Sequence, residues 1–271
     1  MSESELARRD KILEFVIRSY VETAEPVGSR TICRRFNVRL SPASIRNVMA
    51  DLEEGGFLTH PHPSAGRIPT DKGYRYYVDC LMEPEELGSE EKETVLREIM
   101  KARTLEGLAQ AASRAISKLT RNAALIYIKK LRRVSFLTYL LEDLIREAEK
   151  LSRFFEEDSE LFVEGLFHVF EEPEFQDIRK MRLLLHAFDE KGDFLRILGK
   201  DLEEEGVHVH IGHENGSDEL GCVSLVVKDS YFGGEPIGGV ALVGPTRMRY
   251  AKNVAAVNYV ANCLSEAAGR F

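Results

Sequence analysis

The sequence predicts an α+β fold, with a small helical module at the N-terminal end and a mixed body behind it. Three observations carry this. Apolar residues recur every three or four positions through residues 5–23 and 250–268, which is the helical period. Between 207 and 243 the period falls to two, the mark of half-buried strands. Charge is also uneven: residues 1–82 hold 12 Lys and Arg against 11 Asp and Glu, while 83–271 hold 25 against 34. With 44% hydrophobic and 30% charged residues, composition excludes a disordered or fibrous chain.

Leu6, Ile12, Leu13, Val16, Ile17, Tyr20 and Val21 form one apolar stripe and predict a first helix over about 5–23. Thr23 to Gly28 reads as a loop, Ser29 as the N-cap of a short helix through Phe36, and Asn37 to Leu40 as a turn. Ser41 caps the next helix and Pro42 opens it, where a missing N–H costs nothing. Ile45, Val48, Met49 and Leu52 give that helix its buried face, and Gly55-Gly56 stop it. Phe57–His60 and Arg67–Thr70 read as short strands around a tip, Pro61 to Gly66, that cannot be helical. Helix, short helix, turn, helix and hairpin is the order of a winged helix-turn-helix. Asp71 is read as capping a further helix, with Tyr74, Tyr77, Val78 and Leu81, that leads out of a domain over residues 1–82.

Glu83 to Gly88 marks the boundary of a second domain, 83–271. Ser89 is read as capping one long amphipathic helix that carries Val95, Leu96, Ile99, Leu105, Leu108, Ala112, Ala115, Ile116 and Leu119. Ala123–Ile128 reads as a strand, and 136–155, 160–171, 174–189 and 193–205 as helices. Val207–Ile211, Cys222–Lys228 and Ile237–Val243 read as strands, and Tyr250–Ala268 as a closing helix. That order implies an antiparallel sheet with helices packed on it.

On the third helix, Ser44, Arg46, Asn47 and Asp51 face outward. The second helix of a helix-turn-helix enters the major groove, where Arg pairs with guanine and Asn with adenine. Ser41 and Ser44, at the start of that helix, suit a backbone phosphate. His62 and Ser64 belong to the hairpin tip, and Arg67 is read as a contact to a phosphate or a narrow minor groove. Arg34 and Arg35, with Arg30 and Arg39, add a basic cluster suited to phosphates. A surface arginine needs no ligand, so it is the attached hairpin that favours double-stranded DNA.

His208, His210 and His213 form an HxHxxH string, which would suit a metal only if the imidazoles converged. Glu214 is adjacent, but no carboxylate or cysteine stands at a convincing ligand spacing, and histidines on a solvated strand explain the pattern as well. No phosphate-binding loop, GxSxG or HExxH pattern is present, so the sequence predicts no enzyme, no cofactor and no metal. Cys33, Cys80, Cys222 and Cys263 are widely spaced and read as reduced thiols. Neither a membrane-length apolar run nor a signal segment is found, which predicts a cytoplasmic protein with no membrane contact.

Several strings resemble the HrcA family of bacterial heat-inducible transcription repressors. They are Glu25-Pro26-Val27-Gly28-Ser29, Ser44-Ile45-Arg46-Asn47-Val48-Met49-Ala50-Asp51-Leu52-Glu53, and the run from Pro61-His62-Pro63-Ser64-Ala65-Gly66-Arg67 to Asp79. Ile211-Gly212-His213-Glu214-Asn215 and Gly244-Pro245-Thr246-Arg247-Met248-Arg249-Tyr250 are similar to that family's late motifs. The resemblance implies a homodimeric repressor of chaperone operons that binds an inverted-repeat operator and releases it on heat stress. It further implies a winged helix, a GAF-like domain with an inserted dimerisation segment, and a GroEL-type chaperonin as partner. Between Leu119 and about Leu161 the chain is shorter than typical members, so the insert is expected to be reduced, at about 120–160. The dimer interface is then expected on helices from 89–121 or 136–156. A second reading makes the GAF-like domain a small-molecule sensor with the winged helix as its output. Negative charge on 83–271 also leads us to expect a body that melts before the module does.

Overall fold

The computed structural model describes residues 3–129, 159–190, 192–201, 206–232 and 235–270. Helix α1 (Glu3–Thr23) buries Ile12, Leu13, Val16 and Ile17 against α2 (Ser29–Phe36) and α3 (Pro42–Glu54). Ile32, Ile45, Met49 and Leu52 complete that core. Leu6 stands exposed, because the buried stripe begins only at Ile12. Ser41 Oγ accepts the Ser44 N–H at 3.0 Å and caps α3 as expected, with Pro42 in the first turn. Ser29 does not cap α2: Gly28 holds the extended cap position, and Ser29 is the first helical residue, buried.

Strands β1 (Leu58–Thr59) and β2 (Ile68–Pro69) pair antiparallel, and a Val27–Arg67 bridge ties the hairpin to the loop after α1. Helix α4 (Asp71–Tyr76) follows, continued by a π turn over Tyr77–Leu81. Thr70, not Asp71, is its cap: Thr70 Oγ1 accepts the Gly73 N–H at 3.1 Å. The Asp71 carboxylate is thereby left for another partner.

The long helix expected after residue 88 is two helices, α5 (Ser89–Ile99) and α6 (Leu105–Thr120). Thr104 starts the second by accepting the Gly107 N–H at 3.0 Å, and Gly88 rather than Ser89 precedes the first. Five strands form one antiparallel sheet: β3 (Ala123–Lys129), β4 (Ser159–Glu164), β5 (Val207–Ile211), β6 (Val223–Phe232) and β7 (Glu235–Pro245). Their order is β4-β3-β7-β6-β5. Residues 160–171 are therefore not one helix. Leu161 and Val163 pack on one face of β4 and Phe162 on the other, and only α7 (Leu166–Phe170) is helical there. Helices α8 (Ile178–Glu190) and α9 (Gly192–Asp201) follow, then α10 (Tyr250–Ala268) after the last strand. The helix expected at 136–155 and most of the reduced segment at about 120–160 lie outside the described residues.

Helices cover both faces of the sheet. Ala124, Ile126, Val226, Val240 and Leu242 pack with α5, α6 and α10, whereas Leu125, Tyr127, Leu225, Val227 and Val243 pack with α7, α8 and α9. The first of these cores runs without interruption into that of α1–α4. Tyr74 and Tyr250, each 1% exposed, join the two with ring centroids 5.8 Å apart. Such a pair adds about 0.5–1.5 kcal/mol beyond the area it buries.

Candidate nucleic-acid interface

The inward set Ile45, Met49 and Leu52 fixes the orientation of α3, so Ser44, Arg46, Asn47 and Asp51 are exposed. Ser41 and Ser44, both exposed, hold their hydroxyl oxygens 2.9 Å apart at the helix start, where the helix dipole is positive. Arg34 and Arg30 on α2 are exposed, as is Arg39 in the turn. That turn leaves α2 through Asn37, whose φ of +47° suits asparagine better than most residues. At the hairpin tip His62 and Ser64 are exposed, with Ser64 Oγ 3.3 Å from His62 Nδ1.

Two of the sequence-predicted contacts are engaged inside the protein. Arg35 pairs with Glu22, reaches Ser19 Oγ at 3.4 Å and lies 5.8 Å over the Phe36 ring, fastening α2 to α1. Arg67 Nε lies 2.7 Å from Glu53 Oε2, and the other Glu53 oxygen meets His60 Nδ1. The Arg67 side chain is 24% exposed and stands at the end of the connecting loop, just before β2, where its backbone bridges to Val27. Glu53 thus holds both strands to α3 and sets the hairpin relative to the exposed helix face. Glu22 and Glu53 were missed in the sequence because nothing local marks them; their partners lie on other elements.

Eight basic residues lie within 26–76. Arg35, Arg67 and Arg75 are ion-paired, and Lys72 Nζ donates to Gly55 O at 2.8 Å. Arg30, Arg34, Arg39 and Arg46 have no ion-pair partner among the described residues. All four stand on α2, the turn or α3.

Behind this surface the module is fastened to the body. Arg75 Nε donates to Glu214 Oε1 at 3.0 Å and Arg75 Nη2 donates to Val209 O, while Asp71 Oδ2 lies 2.8 Å from His213 Nδ1. Gly212, with φ +55°, is required there: a Cβ would stand 2.3 Å from Asp71 Oδ2. The Asp71 hydrogen bond and charge raise the His213 pKa above its ordinary value. Burial works to raise Glu214, but hydrogen bonds from Arg75 and the Ile211 N–H, with the Arg75 charge, hold it below the usual carboxylate value.

The histidine string does not converge. Val207, Val209 and Ile211 pack on the α10 side of β5, so His208 and His210 occupy the alternate positions, and His213 lies against Asp71. Among the described residues no group of three His, Cys, Asp or Glu is placed for a metal ion. No described helix is long and apolar enough to cross a membrane.

Residues 109–254, from α6 into α10, match the HrcA protein C terminal domain. The heat-inducible transcription repressor HrcA of Symbiobacterium thermophilum is 34% identical over 332 aligned positions, covering 96% of this chain and 97% of that protein. Its namesake from Desulfitobacterium hafniense is 31% identical over 334 positions, covering 96% of each. Both aligned spans exceed 271, so these relatives carry segments that this chain lacks. A solved structure described as a hypothetical protein, 24% identical, shares the fold at a TM-score of 0.70 over 96% of this chain and 97% of its own. On sequence identity across nearly its whole length, the chain belongs to the HrcA family of heat-inducible transcription repressors.

Proposed function

We propose that the protein represses heat-shock gene transcription in the cytoplasm by binding an inverted-repeat operator in double-stranded DNA as a homodimer, and that it releases the operator on heat stress. The observation that carries this is the set of four exposed arginines with no ion-pair partner among the described residues, Arg30, Arg34, Arg39 and Arg46, on a chain of net charge −8. Cations left unpaired on one motif of an acidic protein match a polyanion. In this reading α1–α4 and the hairpin are a winged helix-turn-helix and α3 is the recognition helix. Arg46 and Asn47 read base edges, Ser41, Ser44 and Arg34 hold phosphates, and His62 and Ser64 contact the backbone from the wing. Arg35 and Arg67 position α2 and the wing.

The body is the GAF-like part, its sheet enclosed by helices. Leu96 and Met100, 41% and 54% exposed on and just after α5, support the 89–121 region as the two-fold interface. Apolar surface exposed on unfolding would recruit a GroEL-type chaperonin. Footprinting of genomic fragments at two salt concentrations tests the reading. We expect protection of a symmetric site that weakens steeply with salt; absence of any protected site at low salt rejects it.

A further inference from the structure

The Arg247 side chain, in the turn between β7 and α10, is 10% exposed and bridges two distant parts of the fold. Its guanidinium is held by Glu172 and Glu174, which flank Pro173 after α7, with Nη2 3.2 Å from Glu174 Oε2. Phe175, next in the chain, is 2% exposed in the core on the α8 and α9 side of the sheet. Arg247 Nη1 also donates to Val21 O at 3.2 Å, across 226 positions.

Val21 lies in the last turn of α1, where carbonyls outnumber the helix's own donors and the dipole is negative. That turn carries no basic residue of its own. Arg247 supplies the cation from the body. A module fastened at one point can pivot, whereas one fastened at separated points cannot. Asp71 and Arg75 hold α4 to the turn after β5, Tyr74 meets Tyr250, and Arg247 holds the end of α1. Together they form the seat of α1–α4 on the body. Because α1 packs directly on α3, fixing the end of α1 also fixes α3.

We propose that Arg247 is a positioning residue for operator recognition, setting the separation of the two α3 helices in the dimer and so the half-site spacing it accepts. This rests on the operator-binding dimer proposed above. Arg247 touches no DNA in this role; it acts through α1. One base pair added between half-sites moves them by about 3.4 Å and turns them by about 35°, which a rigid seat cannot follow.

The experiment compares the full chain with Arg247→Lys, whose ammonium keeps the charge but cannot reproduce a fork shared between two carboxylates and a carbonyl. Competition binding uses the footprinted operator, the same operator with its spacer one base pair longer or shorter, and a single half-site. The parent should prefer the native spacer by about tenfold and Arg247→Lys by less than about threefold, with half-site affinity unchanged. Glu172→Gln alters a more exposed member of the cluster, should shift the preference the same way, and guards against an unfolded lysine variant. Hydrogen exchange of residues 20–27 without DNA should quicken about tenfold in Arg247→Lys, while β6 and β7 keep the parent's protection. Equal spacing preference in the parent and in each folded variant overturns the proposal, as does a half-site loss that matches the operator loss. Unchanged exchange at 20–27 overturns it even where no operator binds. Faster exchange in a protein that binds no operator upholds the seat and removes the repressor reading instead.

Discussion

Asp71 and His213, 142 positions apart, are joined twice: Asp71 Oδ2 accepts the His213 backbone N–H at 3.1 Å and lies 2.8 Å from His213 Nδ1. With the neighbouring Arg75–Glu214 pair, this fastens α4 to the turn after β5.

The pair makes the seam sensitive to pH. His213 is raised in the folded state, so its contribution is full below the ordinary histidine value of about 6.5 and is lost as pH rises through the raised value. Glu214 is lowered, so its contribution is present above the ordinary value of about 4.3 and is lost as pH falls through the lowered one. Both act together between about pH 4.3 and 6.5. The effect on stability is small, because solvent screens the exposed ring. An NMR titration of His213 should show the raised value in the parent and a return to about 6.5 in Asp71→Asn. Identical titrations in the two proteins would refute the pair.

Arg46→Ala and Asn47→Ala are each expected to cost roughly 1–3 kcal/mol of operator binding and to relax base preference. Arg34→Ala should weaken all sequences about equally and flatten the salt slope. Competition between operator and random DNA reads the difference. An unchanged ratio for Arg46→Ala removes its base-reading role.

Arg67→Ala should act first on folding. Removing the guanidinium leaves Glu53 half-buried with only His60 as partner, at a cost of roughly 1–2 kcal/mol. Urea midpoints check this. Unchanged stability with a large loss of DNA affinity would return Arg67 to the DNA surface.

Ala24 closes α1 with φ +55°, its N–H donating to Tyr20 O at 2.8 Å. A non-glycine residue in that region costs about 1–2 kcal/mol, part of which glycine gives back in unfolded-chain entropy. Ala24→Gly should therefore raise stability by about 1 kcal/mol, read from denaturant unfolding at constant m. A lower midpoint would show that the backbone there is not left-handed in solution.

The expectation that the body melts while the module stays folded does not fit a single core running from Ile12 through Tyr74 to Tyr250 and Ala267. We expect one transition, in which helicity and operator binding are lost together on a heating ramp. Persistent operator binding after the sheet has melted would contradict that coupling.

Much of the N-terminal module was legible because its signals are local: the stripe of α1, the Ser41-Pro42 start of α3 and the prolines of the hairpin. Caps slipped by one residue where serine followed glycine, at Ser29 and Ser89, because the chain turns at the glycine. Strand β4 was misread because Leu161-Phe162-Val163 is too short to show a period unambiguously. The break at Thr104 carried a readable cap signal that the continuous apolar face of α5 and α6 masked. For the site, exposure on α3 followed from its buried face. The engagement of Arg35 and Arg67 did not, because it depends on Glu22 and Glu53 brought near by packing.

Helix α10 completes two structures at once: it covers one face of the sheet through Val257, Val260 and Ala261, and it supplies Tyr250 to Tyr74 of the N-terminal module. Synthesis runs in the other direction. During translation α1–α4 emerge first, yet the Tyr250 ring that packs on Tyr74 arrives only when residue 250 is made. Contacts that span so much chain form slowly, because loop closure precedes any gain from them. A nascent repressor therefore passes through a period in which its N-terminal module is present but unsupported, with apolar surface open to whatever folding helper is free.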